Sequence, residues 1–189
     1  MNLGGFANIS IKEKNTIIAF DICPVNIVLN EICSALNIEY DNNGDIAREG
    51  KLIPKLLQQL NQLSFYKKLP PKSLGREWVE KNIKPLIKDN EPESSLRTFC
   101  EHISIQIGSL IKRESALFTG GGVFNSFLME RIQHHSSSKI IIPNNTIINF
   151  KEALIFSFIG VLKERGEVNC LQSVTGAERD NCGGVINLS

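Results

Sequence analysis

The chain has 189 residues, 42% hydrophobic and 22% charged, with 21 Lys and Arg against 20 Asp and Glu. That length suits one domain, or one lobe of a larger enzyme, with a sizeable core. A formal net charge of +1 excludes a global electrostatic attraction to nucleic acid or an acidic membrane, and five cysteines without a C-x-x-C pair argue against a zinc site or a disulfide framework and fit a reducing cytosol.

The chain opens on Met1-Asn2-Leu3-Gly4-Gly5-Phe6, with no secretory signal pattern. From Leu3 to Ile11, Ile9 and Ile11 alternate with Ser10 and Lys12, which predicts a strand. Lys14-Asn15 is a turn, and Thr16 to Phe20 is a second strand, so the two form a β-hairpin. Gly4-Gly5 near its start is either a bulge or a place where the backbone approaches a ligand closely. Asp21 follows the second strand. Pro24 suits the first turn of a helix whose apolar face is Val25, Val28, Leu29, Ile32 and Leu36, ending near Asn37. A carboxylate between a strand end and a helix N-terminus is held ionised and serves as a general base, a partner of a hydrated metal ion, or simply a cap. Asn26 adds an amide in the first helical turn.

Residues 41–90 have a different texture and read as a helical insertion on an α/β core. Asp41-Asn42-Asn43-Gly44-Asp45 is a turn cluster, Leu52 to Leu63 is an amphipathic helix, and Pro70-Pro71 interrupts the chain. Lys67, Lys68 and Lys72 read as a solvated basic loop. The run Lys72-Ser73-Leu74-Gly75-Arg76-Glu77 suits an anion site or an ion-pair network equally.

Asn90-Glu91-Pro92 starts a long helix through Leu96, Phe99, Ile103, Ile107 and Ile111. A strand at Ala116–Phe118 then runs into Gly120-Gly121-Gly122, and a helix continues through Asn125 to about His134. Three glycines permit positive φ and close approach of a ligand at a helix start; a bare tight connection explains them as well. Lys139–Ile142 is a further strand, stopped by Pro143. A last helix is expected from about Phe150 to Arg165, with Glu152 in its first turn as a dipole-compensating residue or a ligand group. Its apolar run, Ala153 to Leu162, is too short to span a bilayer. His102, His134 and His135 read as solvated or capping residues, not metal ligands, and no metal-ligand set is expected. Ser173–Ala177 carries no strong pattern.

Six segments in order resemble the C-terminal half of anhydro-N-acetylmuramic acid kinases, members of the sugar kinase, Hsp70 and actin superfamily. They are Asn2–Asn8, Phe20–Asn26, Pro70–Glu77, Gly120–Asn125, Lys151–Leu154 and Ser173–Ala177. The aspartate segment departs from the family at Ile22, Cys23 and Val25, where Thr and two glycines are usual. The resemblance implies a ribonuclease H-like lobe, a mixed sheet flanked by helices, spanning 1–189. It implies ATP and Mg²⁺ as cofactors and an amino sugar as substrate: water opens the anhydro ring and the 6-oxygen takes the γ-phosphoryl group. Asp21 is then the general base. Gly4 and Gly5 face phosphates, Gly120, Gly121, Gly122 and Asn125 face adenosine, and Asn26 and Glu152 contact the sugar. Nothing here resembles the family's N-terminal lobe with its first phosphate loop, so the chain is expected to be a truncated or split piece. It should then bind ATP weakly, be inactive alone, and expose apolar side chains where the other lobe docks. A cytoplasmic location and a homodimer are compatible with this reading, and a non-catalytic nucleotide-binding or interaction lobe is the alternative.

Overall fold

The computed structural model describes residues 1–14 and 16–187 and is a mixed α/β structure. Strand β1 (Asn2–Leu3) precedes the hairpin of β2 (Phe6–Glu13) and β3 (Thr16–Pro24), paired antiparallel from Phe6↔Pro24 to Glu13↔Thr16. Alternation decides its faces: Ala7 and Ile9 are buried, whereas Asn8 and Ser10 are exposed. Of the expected Lys14-Asn15 turn, Lys14 has φ +50°, and Asn15 lies outside the described residues. A bulge between Ala7 and Asn8 interrupts the register, so Ala7 opposes Cys23 and Asn8 opposes Asp21.

Strands β4 (Ser115–Leu117) and β5 (Lys139–Ile141) are parallel. Backbone bonds carry the pairing from β4 to β1: Leu3 N–H donates to the Thr119 carbonyl at 2.7 Å, and Thr119 N–H to that of Met1 at 3.0 Å. The spatial order is therefore β3-β2-β1-β4-β5, antiparallel on the hairpin side and parallel on the other.

Helices follow the apolar spacing, with ends moved by capping. Helix α1 is Asn26–Ser34, shorter than expected, because Asn37 takes a positive φ of 58° and ends the run. Between residues 42 and 90, α2 (Asp45–Glu49), α3 (Pro54–Asn61), α4 (Arg76–Asn82) and α5 (Lys84–Ile87) place Leu56, Leu60, Val79 and Ile83 in the same core as the sheet. Helix α6 (Pro92–Leu110) runs through the middle of that core, with Phe99, Ile103 and Ile107 fully buried. Glu101 on α6 binds Arg97, Arg131 and His135 at 2.7–3.0 Å and so ties α6 to α7 (Ser126–His134). Burial opposes ionisation of Glu101, but bonds from Arg131, His135 and Arg97 prevail and hold its pKa at about 2.

Three expectations are corrected here. His102 is not solvated: it is fully buried, with its ring nitrogens on Asn61 Oδ1 (2.6 Å) and Tyr66 Oη (2.8 Å), and burial lowers its pKa to about 3. Lys72 is no solvated loop residue, since its ammonium lies over the Phe65 and Phe20 rings and donates to the Phe65 carbonyl. The last helix, α8, is Asn145–Glu164, one turn or more longer at its start than expected. Asn144 caps it, its Oδ1 accepting from Ile147 N–H at 3.0 Å, so Pro143-Asn144 both stops β5 and starts α8. Ile147, Ile148 and Phe150 thereby join the run from Ala153 to Leu162, and α8 is long and apolar enough to cross a bilayer by length and composition. Of its residues only Ile148 is buried. A short helix α9 (Gln172–Thr175) falls within the patternless tail and packs near β3.

Candidate functional site

The end of β1 organises the site. The carbonyls of Gly4 and Gly5 turn toward α1 and accept from Val25 (2.8 Å), Asn26 (3.3 Å) and Ile27 (3.3 Å), so the glycine turn caps the helix. The Gly4 N–H bends back to the Phe6 carbonyl at 3.3 Å, and Gly5 is exposed. From the opposite side the second glycine turn packs onto β1. Gly120 has φ +89°, and a Cβ there would sit 2.6 Å from the Leu3 carbonyl oxygen; one on Gly122 would sit 2.8 Å from Leu3 Cβ. Those two glycines are needed for close packing on β1. Gly121 differs: it is exposed, and a Cβ there would meet only Asn26 Nδ2, at 3.8 Å.

The turn does not open directly into a helix as the sequence suggests. A 3-10 turn at Gly121–Phe124 intervenes, and Asn125 caps α7 by accepting from Leu128 N–H at 2.8 Å. Asn125 also rests on Gly44, whose φ of +75° leaves no room for a side chain.

Asn26, Gly121, Gly122 and Asn125 line one cavity of about 370 Å³. Its remaining wall comes from residues with no site role in the sequence reading, chiefly Asn30, Tyr40, Asn42, Asn43 and Phe124. Tyr40 and Phe124 are 58% and 47% exposed there. Two exposed aromatic rings beside carboxamides suit a flat heteroaromatic group. Their signal in the sequence was slight: an aromatic flanking a turn cluster and another flanking the glycines. Asp41, at the same wall, is committed to the fold, its carboxylate accepting from Ile46 and Ala47 N–H at 2.9 Å each.

Asp21 is within β3, three residues before its end and beside the bulge, not at a strand terminus; Pro24 closes the strand and does not open α1. The Lys72–Leu74 segment holds it. Asp21 N–H donates to the Lys72 carbonyl at 3.0 Å, and Leu74 N–H donates to Asp21 Oδ2 at 2.8 Å. Among the described residues Leu74 is the one donor to this half-buried carboxylate, which leaves Oδ1 for a ligand. The Lys72–Glu77 motif thus positions Asp21. Such a carboxylate can accept a proton from water or bind a hydrated cation. Among the described residues no group of three or more His, Cys, Asp or Glu gathers to hold a metal.

Glu152 stands apart. It is exposed near the middle of α8, not in its first turn, and does not line the cavity. Its neighbour Lys151 is the inward residue, binding Asn2 Oδ1 and Thr119 Oγ1 (3.1 Å). Burial lowers the Lys151 pKa, with the Glu152 charge opposing.

A family model described as anhydro-N-acetylmuramic acid kinase matches residues 1–188. Curated proteins of that name are similar over nearly the whole chain: 32% identical in Francisella tularensis subsp. novicida (99% of this chain, 54% of the relative) and 32% in Aliivibrio fischeri (98% and 54%). The one from Bacillus thuringiensis subsp. konkukian is 27% identical (94% and 52%). The chain spans about half the length of the curated relatives it matches, and the match is to their C-terminal half.

Proposed function

The chain belongs to the anhydro-N-acetylmuramic acid kinase family, and on that premise we propose that it is the nucleotide-binding C-terminal lobe of a kinase acting on 1,6-anhydro-N-acetylmuramic acid. The observation that carries this reading is the convergence of Asn26, Gly121, Gly122 and Asn125, from separate segments, on one cavity edged by Tyr40 and Phe124. The strand order β3-β2-β1-β4-β5 supports a ribonuclease H-like lobe of the actin-like ATPase kind, with residues 41–90 as a helical insertion.

In this reading the adenosine enters the cavity, stacked against Tyr40 or Phe124, and the phosphates extend toward the Gly4-Gly5 turn at the end of β1. Asp21 Oδ1 accepts the proton of the water that attacks the anomeric carbon, as Leu74 N–H keeps Oδ2 fixed. The ring opens and the 6-oxygen takes the γ-phosphoryl group. Mg²⁺, when bound, neutralises charge on the transferring phosphoryl group; one carboxylate with the phosphates suits it better than a cluster of protein ligands would. Asn26 and Glu152 are the sugar contacts carried by the family likeness, with Asn26 placed at the cavity and Glu152 outside it. The reaction belongs to peptidoglycan recycling in the cytoplasm.

Catalysis needs the other half, because a two-lobed kinase closes over its nucleotide to exclude water and align the acceptor. The exposed apolar face of α8 supports docking of that half here. The chain alone, given ATP, Mg²⁺ and the anhydro sugar, is expected to form no 6-phosphate, whereas addition of the N-terminal half of a family member restores turnover. Asp21→Asn in the joined protein should lower turnover roughly a hundredfold or more while nucleotide binding and melting temperature hold. Sustained phosphorylation by the chain alone, or normal turnover in Asp21→Asn, would overturn the assignment. Without the other half the reading reduces to a nucleotide-binding lobe, for which tight ATP binding by the isolated chain would be evidence.

A further inference from the structure

Strands β2 and β4 run side by side with β1 between them for only part of their length. β1 pairs with β2 at Leu3↔Ala7 and Asn2↔Asn8 alone, whereas β2 continues to Glu13. β4 reaches back to Ser115. Beyond Met1 a cavity of about 480 Å³ separates them, lined by Ile9–Lys12 on one side and Ser115–Leu117 on the other.

The backbone on both walls is oriented for pairing. Residues of like parity on a strand point their N–H and C=O groups the same way. The Lys12 carbonyl is reached across the gap by Arg113 Nη2 at 3.5 Å, so Lys12 and Ser10 face the cavity. On β4, Ala116 and Phe118 lie toward β5, with Phe118 N–H on the Ile141 carbonyl, which turns Ser115 and Leu117 toward β1. The Leu117 carbonyl already accepts from the Met1 α-amino group at 2.9 Å. That amine is a cation near Lys151, and its pKa is lowered first by burial and then by the Lys151 charge. A peptide N–H there would make the same bond without the charge.

We infer that this gap is a strand-docking slot, and that its occupant is an extended peptide segment continuing β1 on its N-terminal side, from the half of the relatives' length that this chain does not match. The register follows from Asn2↔Asn8. The four residues preceding Met1 lie opposite Ser10, Ile11, Lys12 and Glu13, a span of roughly 13 Å. The residue opposite Ile11 shares the core face with Leu3 and Ile9 and is apolar; the one opposite Ser10 is on the other face. The second residue before Met1 donates to the Ser115 carbonyl and accepts from Leu117 N–H. Arg113, which closes the far mouth through Lys12 and Glu13, swings out. The source of the strand rests on the two-part reading above; its seat does not, and the measurements below read strand pairing, not turnover.

The test adds Val-Thr-Val-Thr immediately before Met1 and compares it with Gly-Pro-Gly-Pro, whose prolines cannot donate. With the alternating extension, amide hydrogen exchange at Ser10, Lys12 and Leu117 should slow by about tenfold or more, and with the proline extension it should not. A second arm fixes the register. With Cys170 and Cys182 changed to Ser, a cysteine at the second position before Met1 should oxidise onto Ile11→Cys, and one at the first position, on the opposite face, should not. Equal exchange with both extensions overturns the inference, as does cross-linking without regard to position. Protection that appears only as the chain dimerises assigns the slot to a second copy and overturns it too.

Discussion

The body around α6 and the helix α8 are both rich in apolar side chains, yet only one of them is covered. Every buried hydrophobic residue but Ile148 lies between Leu3 and Ile132. On α8, Phe150, Leu154, Phe156 and Phe158 are each 61–70% exposed. A hydrophobic residue gains burial only when something stands opposite it, and in this half of the family's length nothing stands opposite most of α8. The contrast separates what the chain can stabilise by itself from what it presents to a partner.

Truncation is the largest expected break. Phe99→Ala, in the centre of α6, should cost about 3–5 kcal/mol and Phe156→Ala less than about 0.5 kcal/mol in the isolated chain, by denaturant melts. If the N-terminal half covers α8, Phe156→Ala should weaken association of the two halves, measured by titration calorimetry; an unchanged affinity would remove that side chain from the docking surface.

Acid should unfold the body first. His102 is held neutral, so the unfolded chain binds the proton first, and stability falls as pH drops from about 6.5 toward 3, by on the order of 3 kcal/mol at pH 4. Glu101 has a depressed pKa, so its contribution is present above the usual glutamate range and is lost as pH falls toward 2. Melting temperature against pH checks both, and His102→Gln should flatten the upper part of that decline.

Glycines sharpen the comparison with the smallest changes. Gly122→Ala drives a methyl into Leu3 and should cost about 1–3 kcal/mol and disturb nucleotide binding. Gly160→Ala, on α8, meets nothing within 4 Å and should gain about 0.5–1 kcal/mol through helix propensity. Equal effects would mean that α8 is packed as tightly as the glycine turn.

Much of the fold was legible before any coordinates. The β2–β3 hairpin, α6 and the turn at Gly120–Gly122 follow from period-2 alternation, 3.6-residue spacing and glycine chemistry within short windows. The likeness to the kinase family rested on six such windows in order. The beginning of α8 was misplaced because Pro143-Asn144 reads as a stop, and the cap made by Asn144 needs the helix beyond it to be seen. Glu152 was drawn into the first turn by the same error.

What the sequence by itself determined was the set of local elements and the polar and glycine residues at their ends. Only the tertiary structure decided that Leu74, 53 residues away, would donate its N–H to Asp21. It alone buried His102 against Asn61 and Tyr66, and set Tyr40 and Phe124 around one cavity with Asn26. It also left α8 bare. Local pattern is written in residues a few positions apart, whereas burial and hydrogen-bond partnership depend on which distant surface packs opposite. That is settled by the whole fold and, for α8, by chain beyond it.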